Sequence, residues 1–161
     1  MRKRLWNELV QVHYNMIYVV EYQRFQRTAL KTINITIIIL SAGALISALT
    51  NAGLTILATA LLTFASLLKE ILPNLIFDEK RLSELDKIHS FYCQLLDQYE
   101  RLWYESENDT VQEQELLTNF YVLKEQEYCH NPIINELLAV KLWFVARKAD
   151  TETRNYCERN F

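Results

Sequence analysis

The feature that most constrains the fold is an uncharged run of thirty-seven residues, 32–68, which holds no Asp, Glu, Lys, Arg or His. About 20 apolar residues cross the hydrocarbon core of a bilayer, and a helix that is apolar on all sides is uncommon on a protein surface. We therefore predict two transmembrane helices, 32–50 and 54–72, joined by a turn at 51–53. The alternative is a buried hairpin in a soluble bundle, but a chain of 161 residues has little material with which to cover two such helices.

The charges are distributed unevenly along the chain. Residues 1–31 hold six Lys/Arg against two Glu, net +4, whereas residues 78–161 hold ten Lys/Arg against seventeen Asp/Glu, net -7. Basic residues flank both ends of the uncharged run and none lies in its turn, and flanks of that kind stay cytoplasmic. We expect both termini on the cytoplasmic side of the cell membrane. The acidic C-terminal part disfavours nucleic acid as a partner.

The flanking segments are predicted to be helical. Residues 1–31 have apolar residues at spacings of three and four, which indicates an amphipathic helix that either lies on the membrane surface or packs against the cytoplasmic helices, and we favour packing. Asp78 is expected to cap a long helix, and two more helices are predicted at 111–128 and 132–148. The apolar positions of the long helix form a predicted self-association seam: Leu82, Leu85, Ile88, Tyr92, Leu95, Tyr99 and Leu102.

These elements make up an all-α membrane protein. It has an N-terminal amphipathic helix at 1–31, a two-span transmembrane hairpin at 32–76 and a cytoplasmic helical domain at 78–161.

No catalytic or metal-binding pattern is present in the sequence. The three His and three Cys are scattered, with no CxxC or HExxH spacing, and no Gly-rich phosphate loop occurs. We predict no catalytic residue, no metal ligand and no cofactor, and therefore not an enzyme.

The second predicted span carries a stripe of hydroxyl side chains within an arc of about 80°. These candidate pore-lining residues are Thr55, Thr59, Thr63 and Ser66. Alternatively, each hydroxyl bonds to the carbonyl one turn earlier or to the neighbouring span. Two helices cannot surround a pore, so a channel requires a homo-oligomer. Small residues at four-residue spacing are candidates for close helix packing: Gly43, Ala44, Ser47, Ala48 and Asn51.

This layout of a basic helical arm, two spans with a minimal turn and a long helix with further helices resembles the bacterial SLATT family. The long helix of that layout carries Leu82, Leu85, Tyr92, Leu95 and Trp103. SLATT proteins are two-transmembrane effectors associated with nucleotide-second-messenger synthases and nucleotide-sensing domains. The resemblance implies an anti-phage effector of the abortive-infection type, which oligomerises in the bacterial inner membrane and permeabilises it. The implied partners are membrane lipid, further copies of the chain, and a nucleotide second messenger or an operon-encoded sensor protein.

The alternative function is a membrane-tethered module that senses a ligand or recruits a partner, with the hairpin serving only as an anchor. A ligand site of that module could use the scattered cations of the C-terminal part. They are Lys80, Arg81, Arg101, Lys141, Arg147 and Lys148.

Overall fold

Most of the chain that the structure describes is α-helical. The computed structural model describes residues 1–50, 59–64, 66–67, 77–108 and 110–161, without the side chains of 43–50. The long helices are α1 (Arg2–Thr50), α2 (Glu79–Glu107), α3 (Glu113–Leu137) and α4 (Trp143–Asn160), and residues 59–64 and 66–67 are helical as well. The predicted all-α class is confirmed.

The chain divides into two compact units. The first consists of Met1–Gln23 and Ser83–Phe161, and the second of Arg24–Leu82. The first unit therefore joins the N-terminal part of α1 to the C-terminal helices. The apolar side chains of this part of α1, which the sequence predicts to be an amphipathic helix, are buried in that unit.

The core of the first unit receives side chains from all four helices. α1 contributes leucines, valines and tyrosines, α2 contributes mainly leucines and tyrosines, and α4 contributes small residues such as Ala149. Burying each large apolar side chain stabilises the fold by about 1.5–3 kcal/mol relative to its exposed state. The large, fully buried side chains of this unit include Leu5, Leu9, Val12, Val19, Tyr22, Leu85, Leu95 and Tyr99.

The boundaries of α3 and α4 differ from the prediction. Pro132 was expected to start a helix, but it lies inside α3, which continues to Leu137. Proline removes one backbone hydrogen bond from a helix interior. The helix continues past it because Ile134 and Leu137, two and five positions after the proline, are buried in the core. The chain then leaves the helix at 138–142, and α4 continues to Asn160, beyond the predicted helix end at 148.

Aromatic packing fixes the end of α4. The Phe161 ring lies with its centroid 5.0 Å from that of Trp6 and 6.1 Å from that of Trp103. Both contacts are edge-to-face, the arrangement that aromatic quadrupoles favour. The tail is therefore docked on α1 and α2.

The second unit contains the start of α2 and its predicted cap. The Arg81 N–H donates to Asp78 Oδ1 at 2.9 Å, which confirms Asp78 as the cap. The buried Gln26 accepts the N–H of Phe77 through Oε1 at 3.2 Å. Several large apolar side chains of this unit are exposed: Ile35, Ile38, Ile39, Leu61, Phe64 and Leu67.

The predicted membrane topology is wrong. Within the described residues, no helix combines the length and the apolar character needed to cross a membrane. This finding overturns the two-span hairpin, the pore-forming assignment and the inner-membrane location with cytoplasmic termini.

Candidate functional site

The first unit contains a cleft of about 340 Å³ that is lined by residues of all four helices. We call it the four-helix cleft. α1 and α3 supply most of its lining residues, α2 and α4 supply Tyr92 and Ala146, and the connection between α3 and α4 supplies Leu138 and Lys141. Its size falls within the range usual for small-molecule sites.

The wall formed by α1 follows from the helical repeat. Gln11, Tyr14, Asn15 and Tyr18 lie at positions i, i+3, i+4 and i+7, so their side chains share one face of the helix. The rings of Tyr14 and Tyr18 are stacked with centroids 6.1 Å apart and planes inclined by 27°. This wall therefore combines an aromatic surface with carboxamide groups.

The wall formed by α3 also follows the helical repeat. Glu127, Asn131, Ile134 and Asn135 lie at i, i+4, i+7 and i+8 and face the cleft. Ile134 and Glu127 are buried, whereas Asn131 is half-buried and Asn135 is exposed. The polarity of this wall therefore comes from two amides and one buried carboxylate.

Tyr92 of α2 is the most deeply buried polar group of the cleft, at 2% exposure. Burial and the nearby Glu127 carboxylate raise the pKa of Tyr92 to about 12, although a hydrogen bond with Asn15 and the charge of Lys124 oppose this. The phenol is therefore neutral at physiological pH.

A charged network lies behind Tyr92 and ties α1 to α3. Lys124 Nζ donates to Glu8 Oε2 at 2.8 Å and to Glu127 Oε2 at 2.9 Å. Burial alone would lower the pKa of Lys124, but its hydrogen bonds to Glu8 and Glu127 outweigh burial and raise that pKa. The charge of the Glu127 carboxylate, whose side chain is 10% exposed, is thus balanced by Lys124.

The hydroxyl of Tyr99 lies in the same part of the core. Burial and the charges of Glu8 and Glu127 raise the pKa of Tyr99. Among the described residues, this hydroxyl has no hydrogen-bond partner. An unpaired buried hydroxyl of this kind destabilises the fold by about 1–3 kcal/mol.

The segment between α3 and α4 is held against α1 at the edge of the cleft. The N–H of Leu142 donates to the hydroxyl oxygen of Tyr18 at 3.1 Å. One turn into α4, Lys148 Nζ donates to Glu21 Oε2 at 2.7 Å. A group that enters the cleft would meet both α1 and this connecting segment.

A second polar cluster joins α1, α2 and α4. Nδ1 of His13 lies 3.0 Å from the Thr153 hydroxyl, and its ring stacks on Tyr156 at 3.9 Å between centroids. The Tyr156 hydroxyl donates to Glu100. Burial lowers the pKa of His13, although the Glu152 carboxylate acts in the opposite direction. The His13 side chain is thus held in the core as a neutral imidazole.

The predicted pore and packing residues lie in the second unit or outside the described part of the chain. Thr59, Thr63 and Ser66 are exposed, and the Thr63 hydroxyl donates to the Thr59 carbonyl at 2.8 Å, as in the alternative considered above. Thr55 and Asn51 lie outside the described residues, and so do the side chains of Gly43, Ala44, Ser47 and Ala48.

The predicted self-association seam is buried within the chain itself. Its residues are between 0% and 6% exposed, and they are Leu82, Leu85, Ile88, Tyr92, Leu95, Tyr99 and Leu102. In this structure they are covered by the chain's own side chains and are not accessible to a second copy. The heptad pattern identified an inward face, and its partner is intramolecular.

The structure separates the six candidate cations. Lys141 lines the four-helix cleft. Arg101 pairs with Glu105 at 3.1 Å, and Lys148 pairs with Glu21. Arg81 lies 5.6 Å above the Phe77 ring in the second unit. Lys80, also in the second unit, and Arg147 of α4 are exposed. Within the first unit, Arg101 and Lys148 pair with different carboxylates and do not line the cleft with Lys141. No group of three or more metal-ligating side chains occurs in the described ranges.

The sequence reasoning missed the amides of the cleft. Gln11, Asn15, Asn131 and Asn135 carry no charge and match no motif. The available signal was their spacing, since each pair is four residues apart and lies on one face of a helix. That spacing is common, and it indicates a site only once α1 and α3 are known to face each other.

Comparison with known proteins identifies no family for this chain. A scan against family models finds no match. Neither the curated proteins nor the solved structures give a match. The SLATT resemblance therefore rests on layout alone and stays a prediction.

Proposed function

We propose that the first unit is a non-catalytic sensor module that binds a small molecule in the four-helix cleft. The observation that carries this proposal is the convergence of polar side chains from α1, α2 and α3 on one cleft of about 340 Å³. Concave sites with a few convergent polar groups are the usual form of small-molecule sites.

The chemistry of the lining groups favours binding over catalysis. Carboxamides do not titrate, and the phenol of Tyr92 has its pKa raised to about 12. The one carboxylate of the lining, Glu127, is hydrogen-bonded to Lys124. A general acid or base needs a pKa near the working pH, and neither the carboxamides nor the Tyr92 phenol has one.

Ligand binding can reach the rest of the chain through the connection between α3 and α4. Leu138 and Lys141 line the cleft, and Leu142 is bonded to Tyr18 on the opposite wall. A ligand that contacts both α1 and the α3–α4 connection stabilises the conformation in which both contacts form. It thereby shifts the equilibrium of the chain towards that conformation.

The test is retention of a small molecule by the purified protein. The full chain is incubated with an extract of small metabolites and washed, and bound compounds are released and identified by mass spectrometry. The cleft-blocking variant is Ala146→Phe, because Ala146 lines the cleft. Its matched control is Ala139→Phe, which makes the same change at an exposed position of the α3–α4 connection.

Wild type and Ala139→Phe should retain the same compound, and Ala146→Phe should not. Circular dichroism of Ala146→Phe must match that of wild type. The proposal fails if no compound is retained, or if the cleft-blocking variant retains it equally.

Self-association is a second candidate, favoured by the exposed apolar side chains of the second unit. Ile38, Ile39 and Phe64 are each more than half exposed, and exposed apolar clusters usually bind another surface. Sedimentation should show an oligomer that Ile38→Glu weakens. Tyr121→Glu, at an exposed position of α3, is the control. A monomeric wild type would exclude this candidate.

The role as a defence effector, with a nucleotide second messenger or an operon-encoded sensor as partner, stays a prediction. It can be examined by measuring oligomer size with and without cyclic nucleotides. Its membrane-permeabilising step is not carried forward, because that step requires spans that the described helices do not provide.

A further inference from the structure

The side chains of the four-helix cleft are mainly uncharged donors and acceptors. Each carboxamide presents both an acceptor oxygen and a donor nitrogen, and each phenol presents a hydroxyl that can do either. The seven side chains of this kind are Gln11, Asn15, Asn131, Asn135, Tyr14, Tyr18 and Tyr92. Gln11 Nε2 donates to Asn15 Oδ1 at 3.0 Å, and Asn15 is hydrogen-bonded with Tyr92. A ligand whose own edge alternates donors and acceptors would pair with the donor and acceptor atoms that these bonds leave, above all those of Asn131 and Asn135.

The cleft offers little to balance a charged ligand. The Glu127 carboxylate is bound to Lys124 at 2.9 Å. The N–H of Leu142, at the start of α4, is bound to Tyr18 and does not face outward as an anion-binding donor. Lys141 is exposed, so its ammonium group is hydrated. Moving a charged group out of water without a counter-charge is unfavourable.

The aromatic wall favours a flat ligand. Tyr14 and Tyr18 present stacked rings, 6.1 Å between centroids, and Tyr92 adds a third ring from α2. Because Tyr18 also stacks on Tyr22 with centroids 6.1 Å apart, a ligand meets the edges of this stack. Flat rings pack edge-on against aromatic rings and gain energy beyond the buried area. The amides of α3 then lie where the edge of a planar ligand could reach them.

We propose that the four-helix cleft binds an uncharged, planar group that carries hydrogen-bond donors and acceptors along its edge, such as a heteroaromatic carboxamide or a purine-like ring. This inference rests on the proposed sensor function, because it names the ligand class of the same cleft. A ligand with a charged arm is compatible only if that arm extends into solvent past Lys141, the exposed residue of the cleft lining.

The test compares small probes of similar size with the full chain. Nicotinamide and adenine are planar, uncharged and bear donors and acceptors, benzoate is a planar anion, and benzylamine is a planar cation at neutral pH. Binding is followed by amide chemical shifts of the ¹⁵N-labelled protein. Nicotinamide or adenine should bind at least tenfold more tightly than either charged probe, with shifts at cleft residues.

Two variants distinguish specific binding in the cleft from non-specific binding. Asn131→Leu replaces a cleft amide by an apolar side chain of similar size and should weaken the neutral probes about tenfold, the effect expected for a lost hydrogen bond. Asn155→Leu makes the same change on α4 at a half-buried position that is not part of the cleft lining. It should leave the affinity unchanged.

The outcomes distinguish the inference from the function on which it rests. If benzoate or benzylamine binds the cleft as tightly as nicotinamide and adenine, the ligand class is wrong while a binding site remains. If the neutral probes shift only residues outside the cleft, or do not bind, the inference is overturned. Absence of any retained metabolite would in addition overturn the sensor function.

Discussion

Replacing Lys124 by Met should destabilise the first unit strongly, because it leaves two carboxylates without their cation. Lys124 contacts both Glu8 and Glu127. Breaking a fully buried pair costs 3–5 kcal/mol and losing an exposed one costs about 0–1 kcal/mol. Glu127 is 10% exposed but Glu8 is 26% exposed, so we expect a loss of about 2–4 kcal/mol, between those limits.

The assay is urea denaturation followed by tryptophan fluorescence. Trp6, Trp103 and Trp143 all belong to the first unit, so the signal reports on that unit. The matched control is Arg101→Met, which breaks the Arg101–Glu105 pair on the surface, where the arginine side chain is 81% exposed. Its loss should stay within about 0.5 kcal/mol.

A rescue variant tests the cause of the loss. Adding Glu8→Gln and Glu127→Gln to Lys124→Met removes the uncompensated charges, and most of the lost stability should return. The reasoning is refuted if Lys124→Met unfolds no earlier in urea than Arg101→Met, or if the triple variant is as unstable as the single one.

The stabilising contribution of Lys124 should decrease at alkaline pH. Its pKa is raised in the folded state above the ordinary value of 10.5. Its stabilising contribution is therefore fully present below pH 10.5 and is lost as the pH rises through the folded pKa. Lys124→Met should lack this alkaline loss.

Three further predictions follow from burial and pKa. The pKa of His13 is lowered in the folded protein, so the neutral imidazole contributes stability above its ordinary pKa of 6.5. This contribution is lost as the pH falls through the folded pKa. The free energy of unfolding should therefore fall less between pH 7 and pH 5 in His13→Gln than in wild type. Tyr99→Phe removes a buried hydroxyl without a partner among the described residues and should stabilise by up to about 1–3 kcal/mol in urea, whereas Tyr92→Phe, which loses its bond with Asn15, should not. Leu95→Ala should destabilise by about 2–5 kcal/mol in the same assay, and Leu117→Ala, at a partly exposed position, by much less; equal losses would contradict the described core.

The helical class and the inward face of α2 could be predicted from the sequence because both depend on local periodicity. The apolar positions from Leu82 to Leu102 step by three and four, and all of them are buried. The Asp78 cap was also predictable, because an aspartate before a helix accepts a nearby N–H. In each case the informative residues lie within one or two helical turns of each other.

The partner of each face could not be predicted in the same way. A heptad pattern indicates that a surface will be covered, but it does not distinguish a second copy from another helix of the same chain. Here α2 is covered intramolecularly, because residues 1–23 pack with residues 83–161 in one unit. That pairing joins segments far apart in sequence, for which local spacing holds no information.

For the same physical reason, a search for charged residues found only Lys141 of the cleft lining. Scattered lysines and arginines attract notice in a sequence, yet Arg101 and Lys148 pair with carboxylates of the chain. The polar groups that converge are amides such as Asn15 and Asn131, 116 positions apart in the numbering, and each is unremarkable on its own helix. They face one cleft because the buried leucines of α1, α2 and α3 set how those helices are rotated, so the site is a consequence of core packing and becomes visible only with it.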